Sequence, residues 1–313
     1  MMEMFKVSEP GPYSTVQDKG RYGYQQFGIP TSGVLDQFAY RVANMLVGNP
    51  EGAAVLEITV LGPRLEVLAG ADIAVTGAEM RFSINGQPAE GWTAFRVEPG
   101  DVLSLRQVKT GCRAYLAVTG GIDVPIVMGS RSTYAGGKIG GYEGRPIAKG
   151  DILPRGEGKL LTTSRKMSAK LIPKYAQEIV LRAIEGPQDD FFDQGIVTLF
   201  ESEFTVSSRA DRMGYRLQGP AITHREGVRK SIISEPSLPG GIQIPPDGQA
   251  IILLVEQTVG GYTKIATIIS TDIPYVAQAK PGDRIRFERV NLETAHVAFR
   301  QQEQVLQQIK EQL

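Results

Sequence analysis

DIAVTGAEMRFSING (residues 72–86), followed by DVLSLRQV (101–108) and AYLAVTGG (114–121), decides the fold class of this chain. Apolar and polar residues alternate through much of these runs, the pattern of a strand with one buried face. Asn85–Gly86 is a tight-hairpin signal, because both residues tolerate the positive φ that such a turn requires. Outward from this core the same kind of run recurs: AVLEITVLG (54–62), EIVLRAI (178–184), FTVSS (204–208), QAIILLVE (249–256) and DRIRFERV (283–290). The 36 glycines and 19 prolines punctuate short segments rather than forming a tract. Short strands at this spacing predict a mainly β protein of barrels or sandwiches, not a parallel α/β sheet.

Three stretches read as helix. In VLDQFAYRVANMLVG, Leu35, Phe38, Ala39, Val42 and Leu46 share one face, with Ser32 as candidate N-cap and Gly48 as candidate stop. Pro187 suits a first helical turn, with Asp189 and Asp190 near the positive end of its dipole. From Asn291 onward, Leu292, Ala295, Phe299, Leu306, Ile309 and Leu313 give an amphipathic tail helix that packs on its own barrel or on a partner. Pro-Gly-Asp precedes a strand in VEPGDVLSL (97–105) and in AKPGDRIRF (279–287), a hint of duplication that good turn chemistry also explains. The basic, aperiodic stretch 154–174 reads as an inter-domain connection. The expected organisation is 1–160, a linker 161–174, 175–290, and a C-terminal helix 291–313.

Composition narrows the chemistry. Lys plus Arg and Asp plus Glu each number 34, so no positive surplus is available for a phosphate backbone, and nucleic acid is not an expected partner. Cys112 is the only cysteine, which excludes an intramolecular disulfide and a thiolate zinc site. His224 and His296 are the only imidazoles, and neither is the expected centre of a Ser-His or multi-His mechanism. The N-terminal residues lack a cationic start followed by an apolar run, and Ala250–Val255 is too short to span a bilayer, so a cytoplasmic protein is expected.

GGKIGG (136–141) is not a phosphate-binding P-loop: Lys138 precedes Ile139 rather than Ser or Thr, and Ser132 stands where the first glycine belongs. A plain flexible or turn-forming role is the favoured reading, although backbone amides of GSRSTYAGG (129–137) can still bind an anion. TVQDKGRYG (15–23) has no helix or strand period. Its Asp18 and Arg21 either pair with each other in a loop or, with Gln17, line a polar pocket. In SRADRMGYRL (208–217), Asp211, Arg212 and Arg216 form either a local ion-pair network or a charged site. SLPGGIQIPPDGQA (237–250) and EQTVGGYTKIA (256–266) supply Gln243, Gln257 and Tyr262, with Gly260–Gly261 allowing close backbone approach.

Taken in order, TVQDKGRYGYQQFGIPTSGVLD, RVANMLVGNP, LEITVLGP, VTGGIDVP, MGSRST, GDILP, EGPQDDFF, SRADRMGYRLQGP, SEPSLPGGIQIPPDGQ and QTVGGY resemble the family of 5-oxoprolinase C-type subunits over nearly the whole chain. That family is also described as biotin-dependent carboxyltransferases, allophanate hydrolase subunit 2, or antagonists of a sporulation kinase inhibitor. The resemblance implies two cyclophilin-like β-barrels with a few short helices. It implies a tight B-type 5-oxoprolinase partner and an A-type one, and the three together convert 5-oxo-L-proline to L-glutamate with ATP and Mg. No residue of this chain is assigned to ATP. Asp211, Arg212 and Arg216 become the expected catalytic groups, and Gln17, Asp18, Arg21, Gln243, Gln257 and Tyr262 the expected substrate contacts. Arg165-Lys166-Met167 is not a biotin attachment site, so biotin is not expected to be covalently bound. Carboxyl transfer to a urea-like acceptor and regulatory sequestration of a partner are the competing readings. Where the family usually carries Asp, Thr and Pro around its Gly-Gly-Tyr loop, this chain has Val255, Val259 and Thr263.

Overall fold

The computed structural model of the chain describes residues 2–313. It divides into two compact units, one of Met1–Arg21, Ser32–Tyr175 and Val305–Leu313, the other of Tyr22–Thr31 and Ala176–Gln304. Strand dominates both, as the sequence patterning predicts.

In the first unit the strands are β1 (Met2–Glu9), β2 (Ser14–Gln17), β3 (Val55–Thr59), β4 (Arg64–Val67), β5 (Ala71–Ile84), β6 (Gln87–Pro88), β7 (Ala94–Val97), β8 (Val102–Val118) and β9 (Ile152–Arg155). They form one open sheet in the order β2-β3-β8-β4-β1-β9, with β5 joined to β6, β7 and β8. The two runs read separately at 101–108 and 114–121 are a single strand, β8. Its middle is polar because it lies beyond the core, yet its ladder with β5 continues through Glu79↔Thr110 and Met80↔Val108. Register shifts between Gly77 and Phe82 reverse the phase of β5, which is why odd-numbered Ile73 and Val75 and even-numbered Phe82 all face the core. Asn85 and Gly86 take φ of 52° and 79°, the turn that their residue types predict.

Helix α1 (Gln37–Leu46) starts later than its apolar spacing predicts. Asp36, not Ser32, is the N-cap, its Oδ1 accepting from Ala39 N at 2.9 Å, while Ser32 sits at φ 51°. Ala39, Val42 and Leu46 are buried in a second core with Ala74, Tyr115 and Trp92. Leu306 and Ile309 at the end of the tail helix complete that core, so this half of the helix packs on its own unit. Truncating Leu46 to Ala removes contacts worth about 2–5 kcal/mol. The 161–174 segment is packed as well: Met167 is buried, its N–H donates to Trp92 O, and Arg165 Nη1 donates to Met45 O.

The second unit contains β10 (Glu178–Glu185), β11 (Glu203–Ala210), β12 (Gly214–Gln218), β13 (Ser231–Pro236), β14 (Gly241–Ile244), β15 (Ile251–Leu253), β16 (Val259–Ile268) and β17 (Arg284–Arg289). The order β10-β17-β11-β12-β15-β14-β16 closes on itself through β10–β16, giving a seven-stranded barrel with β13 attached outside it on β16. Its helices are α2 (Gln194–Glu201), α3 (Ile273–Gln278) and the first part of α4 (Leu292–Gln312). Pro187 opens no regular helix. A short 3-10 turn at Asp189–Phe191 comes first, and α2 begins only after Asp193.

Candidate functional site

The run 15–23 is an internal clamp. Asp18 Oδ1 accepts from Ser130 Oγ and Ser132 Oγ, both at 2.6 Å, and from Gly20 N at 2.9 Å, while Oδ2 accepts from Arg131 N at 2.7 Å. The 129–137 loop, whose amides are able to bind an anion, thus commits one donor, Arg131 N–H, to the protein's own carboxylate. Gln17 is engaged at both ends: Nε2 donates to Thr15 Oγ1 and Thr133 O, and Oε1 accepts from Gly33 N. Arg21 is fully buried and donates to Val127 O at 3.0 Å and Ser132 O at 2.8 Å. It makes no direct ion pair with Asp18 among the described residues, which corrects the pairing expected from their spacing. Burial lowers the Arg21 pKa, and the nearby Asp18 charge works against that shift.

The second charged run also fails to form the local network its spacing allows. Arg212 Nε reaches 44 residues along the chain to Glu256 Oε1 at 2.6 Å, with the arginine side chain only 5% exposed. Arg216 pairs with Asp247 at 3.0 Å on the surface. Asp211 caps the β11–β12 turn, its Oδ1 accepting from Met213 N at 2.8 Å and Gly214 N at 3.2 Å. The three residues therefore split into a buried ion pair, an exposed one and a turn.

Around the 255–263 loop, Gln243 is buried on β14 and its Nε2 has no hydrogen-bond partner among the described residues. Ser237 Oγ, which sequence reasoning did not single out, is likewise buried and unpartnered among the described residues. Gly260 joins them: a Cβ there would overlap Gln243 Nε2 and lie 3.3 Å from Ser237 Oγ. Such unsatisfied buried groups are uncommon and call for an explanation. Gln257 instead donates to Val259 O in its own loop at 2.7 Å, and Tyr262 is exposed. Lys264, also missed, is buried and pairs with Glu235 at 2.6 Å, an interaction that lowers the Glu235 pKa. No signal in a single sequence links residues so far apart in number as Arg212 and Glu256.

A family model described as "Carboxyltransferase domain, subdomain A and B" matches residues 27–289. The chain belongs to the carboxyltransferase-domain family. It is 39% identical to the C-type subunit of 5-oxoprolinase from Escherichia coli (strain K12), covering 98% of this chain and 97% of that protein. It is 33% identical to urea amidolyase of Lachancea kluyveri over 98% of this chain, but spans only 18% of that longer protein. The crystal structure of Kluyveromyces lactis urea carboxylase superposes with a TM-score of 0.91 at 30% identity, covering 98% of this chain and 29% of that one. Within this carboxyltransferase-domain chain the three departures expected to matter have definite surroundings. Val255 is buried, and its carbonyl accepts from Thr31 Oγ1 at 3.1 Å. Val259 is half exposed, and buried Thr263 hydrogen-bonds His224 Nε2 at 2.8 Å.

Proposed function

We propose that this chain is the C-type component of an ATP-dependent 5-oxoprolinase, acting with B-type and A-type partners to open 5-oxo-L-proline to L-glutamate. The observation that carries the reading is the end-to-end similarity to the E. coli C-type 5-oxoprolinase protein, with 39% identity over 98% of this chain. The chemistry around Gly260 supports it. A lactam presents a carbonyl and an N–H side by side. Among the described residues, Gln243 Nε2 is a donor without a partner, and Ser237 Oγ is an acceptor without one. In this reading the first holds the lactam oxygen, the second the lactam N–H, and Gln257 and Tyr262 border the same loop.

Opening the ring requires charge to be stabilised on a poorly electrophilic carbonyl. Arg212 is the group assigned to that charge or to phosphate, with Glu256 fixing its guanidinium. Asp211 shapes the adjoining turn, and Arg216 contributes positive field from the surface. Gln17, Asp18 and Arg21 act as positioning residues for the 130–133 loop. ATP and Mg are supplied within the complex.

Reconstitution tests the reading. The chain is co-purified with its B-type and A-type partners and assayed for glutamate release that needs both ATP and 5-oxoproline. Loss of activity on omitting the chain is the expected result, and unchanged activity of an Arg212→Ala complex removes the central role. The similarity to urea amidolyase favours one second reading, carboxyl transfer to a urea-like acceptor from a biotin carried elsewhere. Incorporation of labelled bicarbonate, in place of glutamate release, selects it.

A further inference from the structure

We infer that the cleft bordered by residues 138–144 of the first unit is an oxyanion-binding site, with the turn's backbone N–H groups as its donors. The cleft has a volume of about 540 Å³. Val124, Pro125, Val127 and Ile152 form apolar walls, and the Lys138–Gly144 turn forms the polar end.

The turn has an unusual backbone. Lys138, Gly140, Gly141, Glu143 and Gly144 have φ of 55°, 64°, 57°, 53° and 68°, while Ile139 and Tyr142 between them keep the ordinary negative sign. Turns that mix left-handed with ordinary residues in this way can present neighbouring N–H groups to one ligand, an arrangement that suits anions. Four of the turn's donors are consumed: Lys138 N by Ala135 O at 3.2 Å, Ile139 N by Tyr134 O at 3.1 Å, Gly141 N by Arg131 O at 3.1 Å and Gly144 N by Gly140 O at 2.8 Å. The N–H groups of Gly140, Tyr142 and Glu143 find no acceptor among the described residues. Backbone donors left in that condition are rare unless solvent or a ligand serves them.

Charge points the same way. Of the acids bordering the cleft, Asp123 is paired with Arg131 at 2.8 Å and Glu143 with Arg145 at 2.7 Å. Lys138 is the bordering cation without an ion pair among the described residues. It also occupies a left-handed conformation that glycine would adopt without strain, in a segment where Gly136, Gly137, Gly140 and Gly141 surround it. Behind Gly140 stands the buried Arg21, close enough that a Cβ on Gly140 would lie 2.5 Å from Nη2. Asp18 offsets part of that charge. The ligand class is a small phosphate or carboxylate, with any compact apolar portion against Val124 and Tyr142. This is not the P-loop arrangement that GGKIGG superficially suggests, since no Ser or Thr follows Lys138. The inference does not depend on the 5-oxoprolinase reading.

The test is titration of the ¹⁵N-labelled full chain with inorganic phosphate, ATP, acetate and 5-oxoproline against chloride at constant ionic strength. Saturable shifts centred on the Gly140, Tyr142 and Glu143 amides are expected. Lys138→Gly, which suits the backbone, weakens the interaction about tenfold, and Lys138→Arg retains it. A response to phosphate and ATP assigns a phosphoryl ligand, and a response to acetate and 5-oxoproline a carboxylate. Absence of a shift with all four anions overturns the inference. So do shifts scattered over exposed lysines and arginines that Lys138→Gly leaves unchanged.

Discussion

The two charged runs, TVQDKGRYG and SRADRMGYRL, look alike as text and do opposite things as structure. In the first, a carboxylate collects hydroxyls and amides, and a buried arginine is held by carbonyls. In the second, the buried arginine is held by a distant carboxylate, and the aspartate serves only a turn. The difference is one of satisfied capacity. Asp18 and Gln17 have their hydrogen-bonding groups occupied within their own unit, whereas Gln243 and Ser237 carry unsatisfied atoms beside the loop that follows Arg212's partner. Charge density in a sequence shows where polar groups concentrate, and the structure decides whether they satisfy one another internally.

The contrast breaks most visibly at Asp18. Asp18→Ala strands two hydroxyls and two backbone N–H groups, and a loss of roughly 3–5 kcal/mol in urea unfolding is expected. A loss below about 1 kcal/mol would mean that the clamp is not structural. Glu256→Leu comes next. It leaves the buried Arg212 charge without its carboxylate, and about 3 kcal/mol should disappear from the second unit's stability.

Protons provide a gentler probe, because both histidines, His224 and His296, fall in the second unit. Burial, assisted by Lys230, lowers the His224 pKa. Below about 6.5 the unfolded chain therefore binds a proton that the folded chain resists, so stability is full above that pH and declines as pH falls toward the folded value. Hydrogen exchange should register this decline in the second unit and not in the first, and His224→Asn should flatten it. The smallest effect belongs to Arg216→Ala. Its exposed pair with Asp247 should contribute less than about 0.5 kcal/mol, measured by the shift in the urea midpoint.

Much of the fold is legible in the sequence because strands announce themselves locally. Asn85–Gly86 marks its turn, and the apolar faces of β10 and β17 are visible in EIVLRAI and DRIRFERV. What local pattern misses has physical causes. The polar middle of β8 looks like a break because it extends past the core, although its backbone ladder does not stop. Asp36 outcompetes Ser32 as helix cap because it sits next to the first turn and also accepts from Tyr175 Oη at 2.8 Å. Among candidate site residues, Gln243 is visible from its loop, but Ser237 and Glu256 are not. Their significance lies in what they face, or fail to face, across chain separations that a single sequence does not reveal.

Barrel closure also has a consequence for how the protein is made. β17 lies between β10 and β11, and it pairs in parallel with β10 from Glu178↔Arg284 to Ala183↔Arg289. A nascent chain emerging from the ribosome therefore carries β10 and β11 with open edges until more than 70 further residues, β17 among them, have been synthesised. The β1–β9 sheet, by contrast, has all its strands once residue 155 is out. Translation thus leaves the second unit as the interval of greatest risk for mispairing, and slow decoding or starvation during synthesis should show first as aggregation through its unpaired strands.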